Sequence, residues 1–465
     1  MKKNLLTLSF LSIINLIIYI RIFPSFQFAD DFIQLYDHRF VGLSELLARV
    51  AYSSMHYLFR PVHYLFLCVI SRFVLLGTGY AYLPMFILHL AASFMVFLLL
   101  SRIIKQYIPS MFGAIFFLTY CGNWEVVGWA VVVYYPIVII FLVSAFLAYL
   151  EKRNFVALTS YLLALLTHEV SLIFIPMATL YDYLYTRKMD QKRLISYYIL
   201  TFLYVAAYIF KTIWLPGSSL ASAQYSIGWH FFIQYAGYLA TLIVPIITTY
   251  SMSNILPENI ISFIAAVKTT LNLILPLLCV YALFKAEKEI KFFVFWILLA
   301  LVPFSFFVTS PVSRYVYVAS VGLAGVFAGT VKWLLKTDKM EKIAYFIALF
   351  LILSNLLAMI TYQELFYKKK EIRREILIEL KQALPSIKSG SSLCFVDLPI
   401  REDEIKYMTY LWYNNDSYHI VTVNADNVSC KRTENKLISK NYDYIFRYDC
   451  SRSSLKLIKG TGVNH

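Results

Sequence analysis

The chain has 465 residues, 60% of them hydrophobic and only 15% charged, with a mean hydropathy of +0.66. Soluble domains run about 45–50% apolar and about 25% charged, so these figures exclude a disordered chain, a disulfide-stapled module and a soluble enzyme, and describe a polytopic membrane protein. The net charge of +15 would suggest nucleic acid in a soluble protein, but the basic residues cluster in short gaps between apolar runs, and no basic–aromatic face is present for stacking bases, so no nucleic-acid partner is expected.

In chain order, Lys2-Lys3 precedes an apolar run to about Ile22. That run is too long for a signal peptide and lacks a small-residue cleavage site, so it predicts a retained first span. Positive-inside reasoning puts the amino terminus in the cytoplasm and Asp30-Asp31 on the external face. Further basic clusters mark the cytoplasmic gaps: Arg102/Lys105, Lys152/Arg153, Arg187/Lys188/Lys192/Arg193, Lys285/Lys288/Lys291 and Lys332/Lys336/Lys339/Lys342. Eleven spans are expected, near 5–23, 81–101, 109–122, 130–150, 155–167, 170–186, 194–214, 269–285, 291–308, 315–335 and 342–362. Parity leaves 58–76 and 229–250 without a net crossing, as helices lying in or dipping into the outer interface; two full spans with a shifted topology are the alternative.

From about residue 363 the composition changes. Lys368 to Gln382 reads as a charged amphipathic helix ended by Pro385 and Lys388-Ser389-Gly390. Strand-like runs follow at Leu393–Val396, His419–Val423, Tyr444–Tyr448 and Leu455–Ile458, with a helix near Asp403–Tyr413. The expected architecture is an all-α transmembrane domain over 1–362 and a small external α/β domain over 363–465. Cys68, Cys121 and Cys279 read as small buried hydrophobes, while Cys394, Cys430 and Cys450 in the tail allow a disulfide with one thiol left over.

Ionisable residues at the membrane are costly and are functional candidates by default. Phe28-Ala29-Asp30-Asp31-Phe32 offers two adjacent carboxylates, one able to act as general base toward a hydroxyl, the other to orient it or hold a cation; a helix cap is the structural alternative. Arg60, in His56-Tyr57-Leu58-Phe59-Arg60-Pro61-Val62-His63, can hold a phosphate or carboxylate or simply snorkel. Glu125 lies in Asn123-Trp124-Glu125-Val126-Val127-Gly128-Trp129, and His168-Glu169 interrupts an apolar hairpin, as site residues or as a hydrogen-bonded cap. Arg314 and Tyr315 lie in Ser310-Pro311-Val312-Ser313-Arg314-Tyr315-Val316-Tyr317, whose tyrosines can anchor at headgroup depth. Acids and arginines gathered on one face suggest a site for a polar, phosphate-bearing substrate.

In this order the motifs resemble the GT-C superfamily, in particular the transmembrane part of protein O-mannosyltransferase-like enzymes. The resemblance covers roughly residues 5–362. His168 stands where the family usually has Lys, replacing a fixed charge by a titratable one, and Ser313 precedes Arg314 where an acid is often seen.

The resemblance implies transfer of a sugar from a polyprenyl-phosphate donor to a hydroxyl of a glycolipid, polysaccharide or protein acceptor, on the external face of a bacterial inner membrane. It assigns Asp30 as the base of an inverting displacement with Asp31 second, and Arg60 and Arg314 to the lipid phosphate. Glu125, His168, Glu169 and Tyr315 complete the expected substrate site. A divalent cation, Mg²⁺ or Mn²⁺, is an open expectation, with Asp30 and Asp31 as its ligands. A flippase or polymerase of lipid-linked saccharides is the alternative, weakened by ionisable groups at one edge and by the absence of visible repeats.

Overall fold

The computed structural model describes residues 2–20, 26–27, 30–39, 42–56, 58–73, 82–187, 190–214, 225–245, 258–309, 311–423, 442–449 and 453–460. The chain divides into two compact units: residues 1–20, 43–66 and 82–363 form the first, and 21–42, 67–81 and 364–465 the second. The second unit thus takes in two segments, 21–42 and 67–81, that the sequence reading assigns to the membrane part.

The helices, in chain order, are α1 (Lys2–Tyr19), α2 (Asp30–Arg39), α3 (Leu46–His56), α4 (Pro61–Phe73), α5 (Leu83–Ile104), α6 (Tyr107–Thr119), α7 (Trp124–Gly128), α8 (Tyr134–Leu150), α9 (Asn154–Leu165), α10 (Phe174–Tyr181), α11 (Gln191–Trp214), α12 (His230–Ile243), α13 (Glu258–Lys285), α14 (Lys288–Leu301), α15 (Tyr317–Leu334), α16 (Glu341–Ala383) and α17 (Glu402–Tyr413). Among the described residues, six helical stretches are long and apolar enough to cross a membrane: Leu83–Ile104, Ala130–Leu150, Gln191–Ile213, Lys288–Phe306, Ser313–Leu334 and Glu341–Ala383. Shorter apolar helices lie at Lys3–Tyr19, Pro61–Arg72, Tyr107–Thr119, Asn154–Leu165 and Thr269–Lys285. The protein is an integral membrane protein.

The expected span at 170–186 forms as three helical pieces, a 3₁₀ segment Glu169–Ile173, then α10, then a π-helical segment Asp182–Thr186. Of the two proposed interfacial stretches, α4 and α12 are helical, while 74–76 and 246–250 lie outside the described residues.

Helix ends carry the basic clusters. Lys105 caps α5 and Arg187 caps the π-helical segment, both in the left-handed conformation, and Lys152 takes the same conformation just after α8. A cation there meets the partial negative charge of the last carbonyls. Between α14 and α15 the backbones approach closely. A Cβ at Gly325 would meet the Phe293 ring at 2.1 Å and one at Gly322 the Phe293 carbonyl at 2.7 Å, the small-residue packing that membrane helices use in place of a hydrophobic driving force.

In the second unit, β1 (Ser392–Val396), β2 (His419–Val423), β3 (Tyr444–Asp449) and β4 (Ser454–Gly460) form one sheet in the order β2-β1-β3-β4. β1 pairs parallel to both β2 and β3, and β4 closes antiparallel on β3. The β1–α17–β2 crossover supplies the helix that a parallel pair requires. Cys394, Val396 and Ile445 form a core patch of this sheet. Cys394 is a buried free thiol; Cys430 and Cys450 lie outside the described residues. The expected combination of an α-helical membrane protein and a small C-terminal α/β domain is therefore what forms.

Candidate active site

Arg60 immediately precedes α4, whose first residue is Pro61. Proline suits this position because its missing N–H would be unsatisfied there anyway. The Val62 N–H donates to the Leu166 carbonyl at 3.1 Å, tying the start of α4 to the end of α9 and so to the Thr167-His168-Glu169 hairpin. Across that junction Arg60 donates from Nε and Nη2 to the two Glu169 carboxylate oxygens at 3.0 and 2.6 Å. This is a bidentate fork with fixed orientation. The guanidinium also lies over the Tyr134 ring at 4.8 Å, and the Tyr225 hydroxyl donates to Glu169 at 3.3 Å.

His168 is buried, and its Nδ1 accepts the Val170 N–H at 3.1 Å, which caps the 3₁₀ segment that follows. An acceptor Nδ1 requires a neutral ring with the proton on Nε2. Burial, and then the charge of Arg60, push the imidazole pKa down to about 3. At neutral pH His168 is therefore a neutral cap. For Glu169, burial acts to raise the carboxyl, but the charge and hydrogen bonds of Arg60 outweigh it and hold it well below the usual carboxylate range.

The second pair is built the same way from different elements. α6 ends at Thr119, a 3₁₀ turn Cys121–Asn123 follows, and α7 carries Glu125 in its first turn with every residue buried. Glu125 accepts the Arg314 backbone N–H at 3.1 Å and Arg314 Nη1 at 2.6 Å. Arg314 lies over the rings of Trp129 and Tyr315 at 5.0 and 4.8 Å. Asn123 accepts the Ser320 hydroxyl at 3.3 Å, which fixes this turn to α15.

An aromatic wall joins the two pairs. Tyr134 and Tyr135, at the start of α8, each contact His168, with ring centroids 5.1 and 5.4 Å away. Tyr135 continues to Phe304, and Phe304 stacks on Tyr315 at 4.9 Å. Tyr225, bonded to Glu169, packs on Phe307, which packs on Tyr315. The buried Tyr238, whose ring is 6.2 Å from Tyr315, has no hydrogen-bond partner for its hydroxyl among the described residues. The first unit thus brings together Arg60, Glu125, His168, Glu169, Arg314 and Tyr315, six residues singled out from sequence.

Each arginine has its own carboxylate, so the two pairs cancel in charge. Lys211, in the last turn of α11, is a further cation of the first unit. It is buried, its ammonium is 5.9 Å from the Tyr208 ring centroid, and Tyr204, Tyr208 and Lys211 share one helical face. Tyr204 packs on Phe59, and both tyrosines lie within reach of the charges of Arg60 and Glu169. A lysine inside an apolar span was the available signal.

Asp30 and Asp31 belong to the second unit, where they open α2, an acidic first turn that suits a helix N-terminus. Their surroundings differ. Asp30 is partly exposed and accepts Arg401 Nη2 at 2.6 Å. Asp31 is fully buried, close enough to the buried Lys370 for their charges to interact, while the buried Arg373 and Glu404 form an ion pair between α16 and α17. Among the described residues no group of three or more His, Cys, Asp or Glu side chains gathers as a metal site.

No protein-family model matches the sequence, and no curated protein sequence does either. Solved structures do. The apo crystal structure of ArnT from Cupriavidus metallidurans superposes with a TM-score of 0.52 at 12% identity, covering 94% of this chain and 92% of that one. ArnT from the same organism bound to undecaprenyl phosphate superposes with a TM-score of 0.53 at 11% identity and the same coverage. The chain therefore shares the fold of ArnT over nearly its whole length.

Proposed function

We propose that this protein is a membrane glycosyltransferase that moves a sugar from a polyprenyl-phosphate donor to a hydroxyl acceptor. The observation that carries the reading is the two arginine–glutamate pairs joined by one aromatic wall, within a fold shared with a protein that binds undecaprenyl phosphate. Held by their carboxylates, Arg60 and Arg314 keep further N–H donors for phosphate oxygens, and the buried Lys211 is a further cation on the helical face of Tyr204 and Tyr208. Fixed donors of this kind stabilise charge as it develops on the leaving phosphate. Tyr238 adds a hydroxyl with no partner of its own.

In the proposed step the acceptor oxygen bonds to the anomeric carbon while the bond from that carbon to the phosphate oxygen breaks. The electron pair stays on polyprenyl phosphate, the hydroxyl proton passes to Asp30, and the anomeric centre inverts. Asp30 suits the base because its carboxylate is accessible, whereas Asp31 is enclosed with Lys370. The reading includes eleven crossings, a cytoplasmic amino terminus, an external tail and a bacterial inner membrane. Purified protein incubated with a panel of polyprenyl-phosphate sugars and acceptors tests it. Release of polyprenyl phosphate with glycosylated acceptor is expected, and donor lipids that bind but are neither transferred nor hydrolysed would overturn it.

A further inference from the structure

A cavity of about 480 Å³ lies among the start of α1, the last turn of α5 and the first turn of α6. It sits at the opposite end of α6 from the Glu125 turn, a helix of 13 residues and so about 20 Å long. Its cations are Lys3, Arg102 and Lys105, and Asn4, Ser101 and Gln106 add neutral hydrogen-bonding groups. Arg102 and Lys105 are neighbours at the end of α5, and tertiary packing brings Lys3 of α1 to them. The Lys3 ammonium is 5.6 Å from the centroid of the Tyr107 ring, whose hydroxyl pairs with Thr7 Oγ1 at 2.9 Å, which ties α1 to α6.

No carboxylate lines this cavity, and among the described residues none of the three cations forms a salt bridge. The basic cluster at the end of α15 is different. There Lys332 meets Glu289 at 2.8 Å and Lys336 meets Glu287 at 2.5 Å. Neighbouring side chains are apolar and exposed, Leu5 and Leu6 on α1 and Ile108 on α6. Cations without a counter-ion beside an exposed apolar surface match an amphiphile, with its anionic head in the cavity and its chains along the helices. Basic pockets between membrane helices bind such heads.

We infer that the cavity bounded by Lys3, Arg102 and Lys105 is a site for the phosphate headgroup of an anionic membrane lipid, separate from the proposed catalytic centre. Native mass spectrometry of the full chain in detergent, titrated with phosphatidylglycerol and cardiolipin, tests this, with phosphatidylcholine and inorganic phosphate as comparison arms. Each of Lys3→Gln, Arg102→Gln and Lys105→Gln should weaken anionic-lipid binding roughly fivefold, and the triple variant roughly 100-fold. Arg102→Lys, which keeps the charge, and Lys336→Gln, at a cation with its own glutamate, should bind as the wild type does. Undiminished binding by the single variants, or equal affinity for phosphatidylcholine, would overturn the site. Inorganic phosphate binding as tightly as the lipids would overturn the lipid assignment. A triple variant that fails to fold leaves the single variants to decide.

Discussion

Glu125 and Arg314 are 189 residues apart in sequence, and their side chains are 2% and 15% exposed. Removing one member of such a pair leaves a buried charge with no opposite, which costs about 3–5 kcal/mol. Glu125→Ala strands both the guanidinium and the Arg314 backbone N–H. Arg314→Ala strands the carboxylate and loses the contacts with Trp129 and Tyr315, worth about 0.5–2 kcal/mol. Each single variant should therefore unfold at clearly lower denaturant in detergent. The double variant should cost less than the sum of the two by about 2–3 kcal/mol, since neither charge is left behind. Arg314→Lys should restore part of the stability, returning the charge and keeping the backbone N–H without the planar guanidinium. The assay is a double-mutant cycle on denaturant unfolding of the purified protein. Additivity within about 0.5 kcal/mol would refute the idea that this ion pair holds the arginine in place.

Asp30→Asn should lower transfer by about 10²–10⁴ while leaving donor-lipid binding nearly intact, whereas Asp31→Asn should mainly destabilise the protein; wild-type turnover in both variants would remove the acidic pair from the chemistry. Lys211→Met should weaken binding of polyprenyl phosphate by roughly tenfold or more, the loss of one charge-assisted contact, measured in detergent at fixed salt; unchanged affinity would exclude it from the site. For His168 the folded pKa, about 3, lies below the ordinary 6.5, so between these values the unfolded chain binds the extra proton and stability falls as pH drops. Glu169 acts in the same direction at lower pH, because its folded carboxyl is held down. His168→Gln should flatten the unfolding midpoint between about pH 6.5 and 4.5, its ordinary range and that of a carboxyl, and leave the steeper loss below; an unchanged profile would mean His168 is not buried and neutral.

Composition and charge spacing determine the class of this protein, because a bilayer leaves few solutions for long apolar runs and basic gaps. The strands and helix of the tail are legible for the same local reason: Leu393–Val396 is apolar, and Tyr444–Tyr448 is aromatic or β-branched apart from Arg447, with a turn or polar segment before each. Site residues such as Arg60, Glu169, Glu125 and Arg314 stand out because ionisable groups at membrane depth need a reason to be there. Sequence could not supply the pairing. Arg60 chooses a carboxylate 109 residues away, and no local pattern encodes a contact at that separation. Nor could it show that His168 is a neutral cap, since a histidine's charge depends on how much water and which charges surround it. The same holds for the acidic pair. Asp30 and Asp31 are identical side chains at adjacent positions, and only the packing of α2 with α17 leaves one on Arg401 and encloses the other. Lys211 shares a helical face with Tyr204 and Tyr208, and only tertiary packing sets Tyr204 against Phe59, the residue before Arg60.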